Sequence, residues 1–154
     1  MKWQKMNRHI KTDAVLLNRI ATFIWIVGSV TLIRKGFVLL MEADLLNPDS
    51  HLPGLSVLTG FWIGIAKGKY IFARSWLKNR DRIVKLKEPK IWQFFSNVFF
   101  IALSVMITAG VTLSAYSHGS FGMLIAVGIL DLTIGFGLIS GRFFFIYLTE
   151  SAVT

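Results

Sequence analysis

The chain has 154 residues, 54% of them hydrophobic and 14% aromatic, and carries a formal net charge of +9. A mean hydropathy of +0.60 sets it well above ordinary soluble domains in apolar content. It contains no cysteine, which excludes a disulfide framework, a thiolate nucleophile and a cysteine-ligated metal.

The apolar residues gather into four stretches, at about 14–41, 54–76, 91–115 and 122–148. Each meets or exceeds the roughly 20 residues that a membrane-spanning helix requires. The expected fold class is all-α: an integral membrane four-helix bundle that takes up residues 1–154 as one domain.

Ahead of the first stretch, Trp3, Met6 and Ile10 recur at helical spacing among Lys2, Lys5, Arg8 and Lys11. That pattern predicts a short helix lying in the headgroup region. A cleaved signal peptide fits less well, because the run is too long and no small-residue cleavage pattern precedes Arg34. Arg34 and Lys35 fall near the outer end of this stretch.

Charge placement sets the orientation. The connection Glu42–Pro53 is acidic, with Glu42, Asp44 and Asp49, and neither it nor Tyr116–Phe121 contains Lys or Arg. The middle connection holds Arg74, Lys78, Arg80, Arg82, Lys85, Lys87 and Lys90, and the N-terminal segment is also basic. Basic residues stay cytoplasmic in short loops. Both termini are therefore expected on the cytoplasmic side of the inner (plasma) membrane. The same bias accounts for the positive charge without a nucleic-acid partner.

In the second stretch Gly60, Gly64 and Gly68 recur at every fourth residue, and Ser56 extends that face. Small residues so spaced let another helix backbone approach closely. A shift of 73 lays the three glycines over Thr133, Gly137 and Gly141, and a shift of 74 lays Gly28 and Gly36 over Ala102 and Gly110. This suggests two tandem helical hairpins related by an axis along the membrane normal; the alternative is two unrelated hairpins that both need small residues. The second and fourth stretches are expected to cross near Gly64 and Gly137. Asn47-Pro48-Asp49-Ser50, Pro53-Gly54 and Ser117-His118-Gly119-Ser120 mark the outer turns. Inside, nothing breaks the second helix before Asp81, and Pro89 falls near the first turn of the third, where proline is tolerated.

Lys67 lies roughly 20 Å from the outer end of its stretch at the helical rise, and cations at such depth are costly and functional by default. Lys69 and Arg74 follow, progressively closer to the cytoplasm. In the fourth stretch Asp131 is the only acid, at the level of Arg34. An ion pair with Arg34, or with Lys35 as substitute, is expected because an unpaired buried charge is expensive. Arg142 matches Lys69 under the repeat, with Ser140 nearby.

The expected function is that of an anion channel or transporter, weighed against two other classes. In this reading Lys67, Lys69, Arg142 and Ser140, with Gly68 beside them, line a basic cavity that binds or passes an anion. Clusters of Arg and Lys are the usual device for this, and a bundle this small would need an oligomer to form a pore. The alternative is a non-catalytic accessory or structural subunit of a membrane complex, whose basic residues bind lipid phosphate. An enzyme needs convergent acid–base or nucleophilic groups, and the spans offer Asp131 beside scattered hydroxyls. His9, His51 and His118 lie outside the spans, so bis-histidine haem is not expected. An outer metal or pH-sensing site from His51 and His118 with Asp44 or Asp49 is the weakest reading. No cofactor or metal is expected. The partners expected are the lipid bilayer, an anionic lipid or small anion, and a second copy or larger membrane complex.

Overall fold

The structure, a computed structural model, describes residues 2–85 and 97–150; within these, side chains are described from 15 to 143 apart from 84, 97–100, 102 and 103. The chain is all-helical over the described residues. Helix α1 spans Lys2–Leu46. Helix α2, Leu52–Lys67, passes through a π-helical turn at Gly68–Phe72 into α3, Ala73–Val84, without a break. Helices α4, Asn97–Ser117, and α5, Phe121–Glu150, complete the fold. Two segments, Val15–Leu46 and Phe121–Phe143, are long and apolar enough to cross a membrane.

Several boundaries differ from the sequence expectation. The N-terminal segment is not a separate surface helix, since α1 is continuous from Lys2; no glycine or proline interrupts it before Gly28. Its C-terminal end extends to Leu46, where Pro48 disfavours helix at Asn47. There Asn47 N–H donates to Ala43 O and Ser50 N–H to Asn47 O, each at 3.1 Å. Between α4 and α5, Gly119 adopts φ +78°, a left-handed conformation that glycine takes without a Cβ penalty. The start of the third stretch at Ile91, Pro89, Phe94 and Phe95 lie outside the described residues, as do the side chains of Phe144, Phe145 and Tyr147.

Helix α5 sits between α1 and the long α2–α3 helix. It runs antiparallel to α1: Leu40 meets Gly128, Gly36 meets Leu132, and Ile33 meets Gly135. It runs parallel to α2, where Gly60 meets Leu132, Gly64 meets Phe136 and Gly68 meets Ser140. Ala21, Trp25 and Trp76 form one buried cluster, with Ile24, Phe72 and Leu138 packed on it. Leu39, Ala43, Leu124 and Val127 form another, toward the α1–α2 turn.

Helix α4 stands apart. It packs chiefly on α5, while Ile101, Val105, Ile107, Val111 and Tyr116 are exposed. This corrects the expectation of two hairpins related by an axis. Such an axis would pack α4 on α2 as α1 packs on α5, and that counterpart packing is not formed among the described residues. The residues explain why. Helix α5 admits α1 at Gly128 and Gly135, whereas a shift of 73 places Leu55 and Trp62 at the matching points of α2. Both are bulky and exposed, so α2 offers α4 no groove.

Candidate functional site

The one buried carboxylate among the described residues is Asp131, 1% exposed. Lys35 Nζ lies 3.1 Å from Asp131 Oδ2 and donates to Gly110 O at 2.9 Å. The contact to Oδ2 is a close ion pair rather than a well-aligned hydrogen bond. One lysine therefore ties α1, α4 and α5 together. Arg34, the first-choice partner from sequence, is exposed and takes no part. Position 35 shares a face with Gly28, Leu32, Leu39 and Glu42, all at least partly buried, whereas Arg34 shares the exposed face of Val27, Val30, Val38 and Met41.

The glycine face of α2 lies directly on α5. A Cβ at Gly64 would stand 2.9 Å from Thr133 O and 3.2 Å from Gly137 N, and one at Gly137 would stand 3.2 Å from Gly64 O. A Cβ at Gly68 would stand 2.9 Å from Gly137 O and 3.0 Å from Gly141 N, and would collide with Ser140 Oγ. A Cβ at Gly60 would approach Leu132 Cβ to 2.8 Å. In the π turn the Ala73 N–H donates to Gly68 O, an i→i+5 bond. The buried positions accordingly run Gly60, Gly64, Gly68, Ala73 and Trp76, with the spacing widening across the turn. Phe72 is thereby placed against both Gly137 and Gly141.

Sequence reasoning missed a second glycine face. Gly128 and Gly135 open α5 toward α1, where a Cβ at Gly135 would stand 3.2 Å from Ser29 O. Ser29 Oγ donates to Gly135 O across the same contact at 2.6 Å. The seven-residue spacing of these glycines was the available signal.

The four residues expected to line an anion cavity are dispersed. Lys67 and Lys69 are exposed on the α2–π helix, with Lys69 Nζ 5.6 Å from the Tyr70 ring centroid. Ser140 lies in the α2–α5 crossing, donating to Phe136 O at 2.7 Å with Gly64 O at 3.5 Å. Arg142 faces the other way. It lines a groove of about 350 Å³ between α1 and α5 with Val15, Asn18, Arg19, Thr22, Phe23 and Ile26. Depth along a helix can be counted from sequence, but direction around it depends on the packing partner. Lys69 and Arg142 therefore match in depth without sharing a space.

At the opposite end, His118 Nδ1 lies 2.8 Å from Glu42 Oε2, joining the α4–α5 turn to α1. Among the described residues, no group of three His, Asp or Glu side chains is arranged to hold a metal. No protein-family model, curated protein or solved structure matches this chain.

Proposed function

We propose that the chain is a four-span protein of the inner (plasma) membrane, with both termini cytoplasmic, that serves as a non-catalytic subunit and docks a partner helix on α4. The observation that carries this reading is α4 itself. It is an apolar helix held to the others at Gly110 and along part of α5, while its described side chains Ile101, Val105, Met106, Ile107, Val111 and Leu113 are exposed. Ser104, Thr108 and Thr112 recur every fourth residue beside Val105 and Ala109 along a shallow groove. Small side chains at this spacing suit helix–helix contact in lipid.

The membrane placement has independent support. Many large apolar side chains are exposed, including Phe23, Leu58, Trp62 and Phe143, far beyond what water tolerates. Exposed hydroxyls turn inward: Thr31, Thr59, Thr108 and Thr112 each donate to the carbonyl four residues back, at 2.8–2.9 Å. A hydroxyl in lipid has no water to bond and must be satisfied on its own helix.

Cysteine substitution at Ala109 in native membranes tests the docking. Oxidative cross-linking is expected to join α4 to a second copy or to another membrane protein, while a cysteine at Trp62 stays uncross-linked. A folded Ala109→Cys protein that cross-links to nothing removes this reading.

A second reading keeps the basic residues as an anion path. The exposure of Lys67 and Lys69 favours it only if another copy covers them, so that the path runs between copies. Lys67→Met in proteoliposomes should then abolish anion flux, and unchanged flux would leave the docking subunit alone.

A further inference from the structure

The groove between α1 and α5 combines two features, a pair of arginines and an apolar wall. Arg19 of α1 and Arg142 of α5 both line it, and among the described residues none that lines it is acidic. Among the described residues neither arginine is paired with a carboxylate. Val15, Phe23 and Ile26 of α1 give it an apolar wall, and Asn18 and Thr22 supply further polar groups. We infer that this groove binds an anionic glycerophospholipid, with the headgroup phosphate between Arg19 and Arg142 and an acyl chain along Phe23 and Ile26.

Each part of the ligand follows from a part of the groove. Guanidinium forks match phosphate oxygens in bidentate geometry and are more weakly hydrated than ammonium groups. Two of them from different helices favour a ligand that carries negative charge at that level. The contacts of Ser29 and Ile33 with Gly135 set Arg142 at the level of Thr22 to Ile26, so Arg19 is roughly one to two helical turns further toward the N-terminal end. From Arg19 the apolar wall of Phe23 and Ile26 then runs toward the middle of α1, past the level of Arg142. In the orientation proposed above, that direction runs from the cytoplasmic headgroups into the hydrocarbon, the order in which a phospholipid presents phosphate and tail. A free phosphate would match the arginines but leave Phe23 and Ile26, 67% and 43% exposed, without a partner.

This inference rests on the membrane placement, and the experiment separates the two. The full chain is purified in detergent and titrated with dioleoyl phosphatidylglycerol, with dioleoyl phosphatidylcholine and with glycerol 3-phosphate, and bound lipid is counted by native mass spectrometry. The wild type should prefer the anionic lipid by about thirtyfold, as expected for two basic side chains at an anionic headgroup. Glycerol 3-phosphate should not compete. Arg19→Gln with Arg142→Gln should abolish the preference, and Arg34→Gln should leave it intact. If the double variant does not fold, a photoreactive anionic lipid on the wild type should label residues 15–26 or Arg142. A preference that survives the double variant, labelling confined to other segments, or effective competition by glycerol 3-phosphate would each overturn the lipid site. A chain that is soluble without detergent overturns the membrane placement and the site together. One that enters bilayers without lipid preference overturns the site alone.

Discussion

Lys35 reaches from α1 to Asp131 of α5, with Nζ 3.1 Å from Oδ2 and side chains 26% and 2% exposed. The asymmetry of burial decides how the pair behaves: Asp131 depends on Lys35 more than Lys35 depends on Asp131. Removing one partner of a buried pair costs about 3–5 kcal/mol because the other charge is stranded. Lys35→Met is expected to cost an amount in that range and Asp131→Asn somewhat less, since it leaves Lys35 bonded to Gly110 O. Thermal melts of the singles and of the double should show strong non-additivity. Arg34→Gln combined with Asp131→Asn should be additive, because Arg34 faces away.

The pair that joins the α4–α5 turn to α1 is less buried. His118 and Glu42 have side chains 56% and 31% exposed, and exposed ion pairs contribute about 0–1 kcal/mol. Glu42→Gln should change stability by less than about 1 kcal/mol. A loss comparable to that of Lys35→Met would show that the turn is bound more tightly than its exposure indicates.

Glycine substitutions should divide by what lies opposite. At Gly28 an added Cβ meets nothing within 4 Å, so Gly28→Ala should be neutral or stabilising by up to about 1 kcal/mol through helix propensity. At Gly64 the Cβ would stand 2.9 Å from the backbone oxygen of Thr133. Backbone cannot move aside as a side-chain tip can, and overpacking of this kind costs about 1–3 kcal/mol. Equal melting temperatures for Gly28→Ala and Gly64→Ala would contradict the close α2–α5 crossing.

Phe72 is expected to be the most sensitive aromatic of the π turn. It lies against Gly137 and Gly141 and meets Trp25 edge-on at 5.9 Å between ring centroids. Phe72→Ala empties that space and should cost about 3–5 kcal/mol. Tyr70, in the same turn but 63% exposed, is the control, and Tyr70→Ala should cost far less. Equal losses in thermal melts of the two variants would show that the π turn does not direct Phe72 into the bundle.

Much of the fold is legible in the residues. Apolar runs mark the helices, Asn47-Pro48 and His118-Gly119-Ser120 mark the turns after α1 and α4, and the Gly60/Gly64/Gly68 spacing marks the face that meets α5. The rest depends on relations between helices. Arg34 and Lys35 are adjacent in sequence, and only the packing of α1 on α5 turns Lys35 inward. The π turn shifts the buried face by one residue at Gly68–Phe72, and no breaker or cap announces it. The peripheral place of α4 follows from Leu55 and Trp62 standing where a second glycine groove would be needed, which the small-residue match alone does not reveal. Arg19 reads as one more basic residue near the N-terminus until α5 brings Arg142 beside it.

The proposed topology, four crossings with both termini inside, underlies both the docking face and the lipid groove, and impermeant maleimide labelling of single cysteines in intact cells measures it. The chain has no cysteine of its own. Ser120, exposed in the α4–α5 turn, is a better reporter there than the fully buried Ser117. Cysteines at Ser50 and Ser120 should label from outside, and one at the exposed Lys85 should label only after the membrane is opened. Labelling of Lys85→Cys in intact cells, or protection of Ser50→Cys and Ser120→Cys, would contradict this topology.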